Sequence, residues 1–281
     1  MERINEIERV FIEEKAGEFT KEDLEKMDLK VDYVLTKENL DVLRYKFPEM
    51  SIDDIDRVLS LTIKRDRIAK IITFLGMLTA YTEKDQVNIS YNAPASTGKS
   101  HIPLKISELF PYDDVISIAY SSPTAFFHKH GEYDPKDNVI KIDLSRKIII
   151  FIDQPHSELL KKLRAFLSHD REKLLYEITD KNKKGQNKTK DIQLIGFPVM
   201  VFASAILHMD EQETSRVILL SPEMTQEKFE EGIIYKIERR ENKDYEEEIE
   251  NNLERQLLKE RIRTIRDLRF DGVIFPEQNL I

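Results

Sequence analysis

The chain has 281 residues, and its 53 acidic and 44 basic side chains give a formal net charge of -9. This charge argues against a protein that coats nucleic acid over its whole surface, because nonspecific affinity comes from cations that neutralise phosphates. Cysteine is absent, which excludes disulfides, thiolate zinc sites and a cysteine nucleophile. No stretch approaches the roughly 18 apolar residues of a membrane span, so we expect a soluble, cytoplasmic protein with no membrane partner.

The first predicted elements are helices, and we assign residues 1–64 to a helical N-terminal region. Ser51 followed by Asp54 is the pattern of a capping box and predicts a helix that begins there. A second helical run spaces its apolar residues so that they form one stripe. Its members are Ile68, Ile71, Ile72, Leu75 and Leu78.

Residues 65–221 are predicted to form the core. Short β-type runs alternate with helical ones from residue 86 onward, which is typical of a parallel sheet covered by helices. We therefore predict an α/β fold of three layers around a five-stranded parallel sheet. The predicted strands are Val87–Tyr91, Val115–Tyr120, Lys147–Ile152, Val199–Ala203 and Val217–Leu220.

A phosphate-binding motif follows the first of these strands. Residues 93–100 fit the pattern G-x-x-x-x-G-K-[ST], except that alanine replaces the first glycine. In this motif backbone N–H groups wrap the phosphates, the lysine reaches the β and γ oxygens, and the hydroxyl ligates Mg²⁺. The sequence therefore predicts a P-loop NTPase that binds ATP and Mg²⁺. The residues predicted to bind the nucleotide are Pro94, Ala95, Ser96, Thr97, Gly98, Lys99, Ser100 and His101. Ala93 must have a backbone conformation that an L-residue accepts, or bear strain.

An acidic residue follows the most apolar predicted strand. Asp153 is a candidate to hold Mg²⁺ together with Ser100, and one further strand separates the two along the chain. The next residue is Gln154. ATPases with an additional strand between the phosphate loop and the acidic residue usually carry a glutamate here, which polarises the attacking water. Glutamine can orient a water but accepts no proton. Hydrolysis is then slow, or uses Glu158 or another carboxylate, or has been impaired by substitution.

Two further residues are candidates for sensing or stabilising the γ-phosphate. Ser204 ends a predicted strand, in the place of a polar sensor, although short polar residues are common at strand ends. Arg216 precedes the fifth strand, where it is either an arginine finger for a neighbouring subunit or an ordinary surface arginine.

Residues 174–195 are predicted to form a β-hairpin after a helix over Ser157–Leu167. Its tip, residues 181–190, carries five lysines and no acid. Such local charge is typical of phosphate-backbone contact, but lysines are also common at solvated loop tips. The candidate nucleic-acid contacts are Lys181, Lys183, Lys184, Lys188 and Lys190.

Residues 222–281 are predicted to be a helical C-terminal region that serves as a lid or an oligomerisation element. Gly232 and the pair Asn251-Asn252 are its candidate breaks.

Over about residues 65–220 the ordered motifs resemble those of superfamily III helicases of viruses and plasmids. The phosphate loop is similar to theirs, the lysine hairpin resembles the element that they and minichromosome maintenance helicases point into a channel, and Ser215-Arg216 resembles their trans finger. The resemblance implies the AAA+ ATPase domain of a replicative DNA helicase or primase-helicase of a mobile element, an archaeal virus or a plasmid. It also implies a homo-oligomeric ring of six subunits on single-stranded or forked DNA, in a prokaryotic or virus-infected cell.

Other interpretations stay open. A nucleotide-binding switch or scaffold would bind ATP in order to assemble and would hydrolyse it poorly, because Gln154 is no general base. A small-molecule P-loop kinase is disfavoured by the positions of Ser204 and Arg216. His128, His130 and His156 lack a third metal ligand at recognisable spacing and are interpreted as loop histidines.

Overall fold

The computed structural model describes most of the chain from residue 50 onward. It divides into two compact units, one of residues 51–245 and one that includes the described residues from 246 onward. The predicted region 1–64 lies mostly outside the described part, and the predicted boundaries at residues 64 and 221 stay predictions. The described residues are 50–84, 86–94, 97–119, 126, 131–135, 139–153, 155, 157–167, 173–181, 187–203 and 216–268.

The part of the chain that the structure describes contains seven α-helices and nine strands. The helices described are α1 (Ile52–Ser60), α2 (Arg67–Leu78), α3 (His101–Ser107), α4 (Ser157–Leu167), α5 (Gln226–Glu241), α6 (Tyr245–Glu250) and α7 (Leu253–Asp267). The strands described are β1 (Ile89–Tyr91), β2 (Val115–Ile118), β3 (Glu132–Asp134), β4 (Val139–Asp143), β5 (Ile148–Phe151), β6 (Lys173–Lys181), β7 (Asn187–Ile195), β8 (Val199–Phe202) and β9 (Ile218–Leu220). Over this described part, no helix has both the length and the apolar character needed to cross a membrane.

Five strands form one sheet in the order β2-β5-β8-β1-β9, and all of its pairings are parallel. The predicted α/β fold with a five-stranded parallel sheet is confirmed, with each strand one or two residues shorter than predicted. Both β5 and β8 are buried along their whole length. Burial on both faces explains why the sequence of β5 is apolar without alternation.

A second sheet has the order β3-β4-β7-β6. The predicted hairpin is confirmed as antiparallel β6 and β7. The sequence analysis missed β3 and β4, and β4 pairs in parallel with β7. One hydrophobic core joins this sheet to α4 and to the main sheet. Its residues include Ile142, Leu194, Leu163, Phe151 and Phe202.

The capping box predicted at the start of α1 is confirmed. The Ser51 hydroxyl accepts from the Asp54 N–H over 3.2 Å, and the Asp54 carboxylate accepts from the Ser51 N–H over 2.9 Å. Two of the four orphan donors at the helix N-terminus are thereby satisfied, which fixes where α1 begins.

The apolar stripe predicted for α2 is partly wrong. Ile71 is buried, but Ile68 is 73% exposed and Leu75 is 42% exposed. The buried face instead includes Lys70, because its ammonium pairs with Asp56 over 2.9 Å and donates to the Ser60 hydroxyl over 2.6 Å. A buried cation is tolerated when it is paired in this way, and a stripe drawn from apolar residues alone omits it.

Most of residues 226–267 are helical, as predicted for the C-terminal region, in the three helices α5, α6 and α7. The Asn251-Asn252 pair does separate two helices, and the Asn252 side chain caps α7 by accepting from the Arg255 N–H over 3.0 Å. Gly232 lies inside α5, so the break predicted there is wrong. A single glycine costs a helix only about 1 kcal/mol, which its neighbours can offset.

Candidate nucleotide-binding site

The predicted phosphate loop connects the end of β1 to the start of α3. Asn92, which lies between β1 and the loop, donates its N–H to the carbonyl oxygen of Leu220 in β9 over 2.9 Å. Gly98 has a φ of +91°, a conformation that favours glycine. Ala93 stands at the position of the motif's first glycine and is not among the described residues with positive φ. Alanine therefore fits this position without backbone strain.

Two side chains close the loop on itself. The Lys99 ammonium donates to the Ala93 carbonyl oxygen over 3.3 Å, and the Thr97 hydroxyl donates to the Pro94 carbonyl oxygen over 3.0 Å. The Lys99 bond is long for a charged donor. A phosphate oxygen, which carries a full negative charge, is a stronger acceptor for Lys99 than the Ala93 carbonyl.

Asp153 lies at the same edge of the main sheet as the phosphate loop. It follows β5 by two residues, and the loop follows β1, so both lie beyond the carboxyl ends of parallel strands. Strand β8 lies between β5 and β1, which separates the two by about 10 Å, or two strand spacings, along the edge. Asp153 is exposed. Ser100, directly before α3, and Asp153 therefore approach one region from two sides.

Several predicted site residues lie outside the described residues. They are Ala95 and Ser96 of the loop, Gln154 after Asp153, and Ser204 after β8. Their predicted roles stay predictions.

Arg216 lies at the opposite edge of the main sheet. It precedes β9 by two residues, and Ile218 of β9 pairs with Ile89 of β1, so Arg216 is beyond the amino ends of the strands. About four residues of strand, or roughly 13 Å, separate this level from the phosphate loop. Its Nη1 atom is buried without a hydrogen-bond partner in the described structure. The length of the strands therefore separates Arg216 from the phosphate loop of the same chain.

The hairpin lysines occupy two kinds of position. Lys181, Lys188 and Lys190 lie on the strand arms, while Lys183 and Lys184 lie outside the described residues. Asp180 is the register partner of Lys188. Asp180 directly precedes the hairpin tip, residues 181–190, which contains no acid. Residues 180–190 therefore carry a net charge of +4, from five lysines and one aspartate.

His101 connects the start of α3 to the loop before α2. Its Nε2 atom donates to the Thr62 carbonyl oxygen over 3.0 Å. Partial removal of the imidazole ring from water lowers the pKa of His101 below its ordinary value of 6.5. The neutral ring is therefore the form that holds this contact at pH 7.

Sequence analysis missed a lysine beside the phosphate loop. Lys228, in the first turn of α5, donates to the Thr97 carbonyl oxygen over 2.9 Å and pairs with the buried carboxylate of Asp66. These contacts join residues 131 and 162 positions apart, by the difference of their numbers, so no local pattern indicates them. The only sequence signal is Thr225, whose hydroxyl accepts from the Lys228 N–H over 3.3 Å and starts α5.

No family model matches the sequence, and no curated protein matches it. Among solved structures it is similar to the apo A form of the NrS-1 C-terminal region, with 14% identity and a TM-score of 0.38. The match covers 80% of this chain and 50% of that structure. The chain thus spans about half the length of the structure it matches.

Proposed function

We propose that the chain is an ATP-binding domain of the AAA+ P-loop class that drives a motor on DNA. One observation carries the proposal. The strand that leads to Lys99 and the strand that leads to Asp153 are separated by β8 in a parallel sheet, and both residues lie at its carboxyl edge. Ligands of open α/β sheets bind at this edge.

The described residues fit ATP with Mg²⁺. The left-handed Gly98 and the N–H groups at the start of α3 supply a concave set of donors, and the weakly held Lys99 ammonium is available for the β and γ oxygens. The Ser100 hydroxyl and the Asp153 carboxylate are hard oxygen ligands of the kind that Mg²⁺ prefers. When bound, the ion would neutralise charge on the phosphates. In this proposal Gln154 orients the attacking water without taking its proton.

The proposal includes a ring of identical subunits. Arg216 lies roughly 13 Å below the level of its own phosphate loop, so any contact it makes with a γ-phosphate is with that of a neighbour. Arginine suits this role because its charge is permanent and its planar fork matches phosphate oxygens. We expect Arg216→Ala to reduce ATP turnover while ATP binding is retained.

The hairpin is the proposed DNA contact. Its net charge of +4 over residues 180–190 contrasts with the chain's -9, and local cations of this kind track phosphate backbones. The test replaces Lys183, Lys184 and Lys188 by Glu, and measures single-stranded DNA binding at several salt concentrations. The slope of log affinity against log salt should decrease by about 2, since each lost phosphate contact contributes roughly 0.7.

The matched control makes the same change of charge elsewhere, at Lys84, Lys236 and Lys243, which are all exposed. It should leave the salt slope close to that of the wild type. ATP turnover is then compared with and without DNA for both variants. A wild-type protein that neither binds DNA nor accelerates turnover with it would rule out the motor, and equal effects of the two triple variants would rule out the hairpin.

A second candidate is an ATP-binding switch or scaffold, which the glutamine at position 154 favours. Gln154→Glu separates the two. A large increase in turnover would identify the natural chain as a slow switch, whereas unchanged turnover would mean that another carboxylate supplies the base.

A further inference from the structure

The contact between Lys228 and the phosphate loop is made from the outside of the loop. Lys228 donates to the carbonyl oxygen of Thr97. That carbonyl and the N–H of Gly98 belong to one peptide group, which is trans and planar, so they point in opposite directions. The Gly98 N–H therefore points away from Lys228.

The ammonium group of Lys228 has no donor left for a ligand. A lysine has three N–H donors. They are used by the Asp66 carboxylate, by the Thr97 carbonyl oxygen at 2.9 Å and by the Glu223 carbonyl oxygen at 3.1 Å. The side chain of Lys228 is 11% exposed and that of Asp66 is 1% exposed. Contact with a phosphate would require breaking a buried ion pair, which is strongly unfavourable.

Asp66 is itself held by hydrogen bonds from two backbone N–H groups. Its second carboxylate oxygen accepts from the Glu223 N–H over 2.7 Å, and its carbonyl oxygen accepts from the Lys70 N–H in α2 over 2.9 Å. Asp66 and Arg65 both have left-handed backbones, with φ of 52° and 54°. Such conformations persist in non-glycine residues only where the surroundings hold them. The segment before α2 is thus shaped to present a carboxylate to Lys228.

We propose that Lys228 is a positioning residue of the phosphate loop. It holds the Thr97–Gly98 peptide so that the Gly98 N–H faces the phosphates of the nucleotide, and Asp66 holds Lys228 in turn. This inference rests on the proposed binding of ATP, and it adds a residue of α5 to that site. A carbonyl held by a cation also polarises its own peptide, which makes the N–H a stronger donor.

The test compares four variants for Mg²⁺-ATP affinity by calorimetry and for unfolding by urea. Lys228→Met removes the bond but leaves the Asp66 carboxylate buried and unpaired, so the double variant Asp66→Asn with Lys228→Met is included. Lys228→Arg keeps a cation that reaches both partners. The control is Lys236→Met, an exposed lysine of the same helix. Magnesium tripolyphosphate serves as a second probe, since it has phosphates but no base or sugar.

The double variant should fold and bind both ATP and tripolyphosphate about tenfold more weakly, the loss of one oriented charge-assisted contact. Lys228→Arg should restore most of the affinity, and Lys236→Met should change nothing. If the double variant binds with an affinity within twofold of the wild type, the positioning role is overturned. It is also overturned if neither the single nor the double variant folds, because the pair is then purely structural. A wild-type protein that binds neither probe would instead refute the proposed nucleotide site.

Discussion

Replacement of Gly98 by alanine separates the binding conformation of the phosphate loop from the stability of the protein. Among the described residues, an added Cβ would meet the Lys228 Nζ at 3.8 Å, which is ordinary van der Waals contact. The cost therefore comes from the backbone, because an L-residue rarely adopts a φ of +91°. Strain of this kind costs about 1–3 kcal/mol.

That strain should appear mainly as lost affinity. The free loop can relax to avoid it, whereas the bound loop must keep the conformation that points its N–H groups at the phosphates. A penalty of about 1–3 kcal/mol corresponds to about 5- to 150-fold weaker binding of Mg²⁺-ATP. Calorimetric titration measures the affinity, and urea unfolding shows how much of the strain remains in the free protein. Affinity for ATP within twofold of the wild type, together with an unchanged urea midpoint, would refute the claim that this loop conformation binds phosphate.

Three further substitutions probe the fold around the site. Gly196→Ala should destabilise the protein by about 3 kcal/mol or more. Its Cβ would lie 2.6 Å from the backbone nitrogen of Ser145, and Gly196 has a φ of +81°, which strains an L-residue. A urea midpoint equal to that of the wild type would contradict this. Gly232→Ala should stabilise α5 by about 0.5–1 kcal/mol, because no atom of the described residues lies within 4 Å of the added Cβ. A lower melting temperature would contradict this. His101→Gln tests a pH effect. Since the folded state lowers the pKa of His101, the unfolded chain binds a proton first as the pH falls, and stability is lost from about the ordinary pKa of 6.5 downward. The unfolding free energy of the variant should depend less on pH between about 7 and 5, and identical pH profiles would dismiss the contribution of His101.

The main sheet could be predicted because its strands have a strong local signal. Residues 148–151 are all apolar, as a strand buried on both faces must be, and they occur between turn residues and a helical run. By contrast, β3 has only three residues, and Glu132 and Tyr133 are exposed. A short, exposed edge strand needs no apolar pattern, which is why the sequence did not indicate it.

The site was predictable to the extent that a local motif encodes it. Gly98, Lys99 and Ser100 are adjacent in the chain, so their spacing alone predicts the loop. Contacts that tertiary packing creates have no such signal. Lys70 is charged and yet buried, and Lys228 reaches a loop 131 residues earlier, because a carboxylate partner exists for each in the folded chain. The identity of that partner depends on how the helices pack, and no pattern within one helix specifies it.

The most direct test of the account is equilibrium binding of Mg²⁺-ATP to the wild-type protein and to Lys99→Ala, with circular dichroism to confirm that both are folded. Lys99 is partly exposed, and within the described residues it bonds to the Ala93 carbonyl oxygen of its own loop, so its removal should leave the fold intact. The wild type should bind ATP, and Lys99→Ala should bind it at least tenfold more weakly, since a charge-assisted contact to the phosphates is lost. Absence of binding by the wild type, or equal binding by the two proteins, would contradict it.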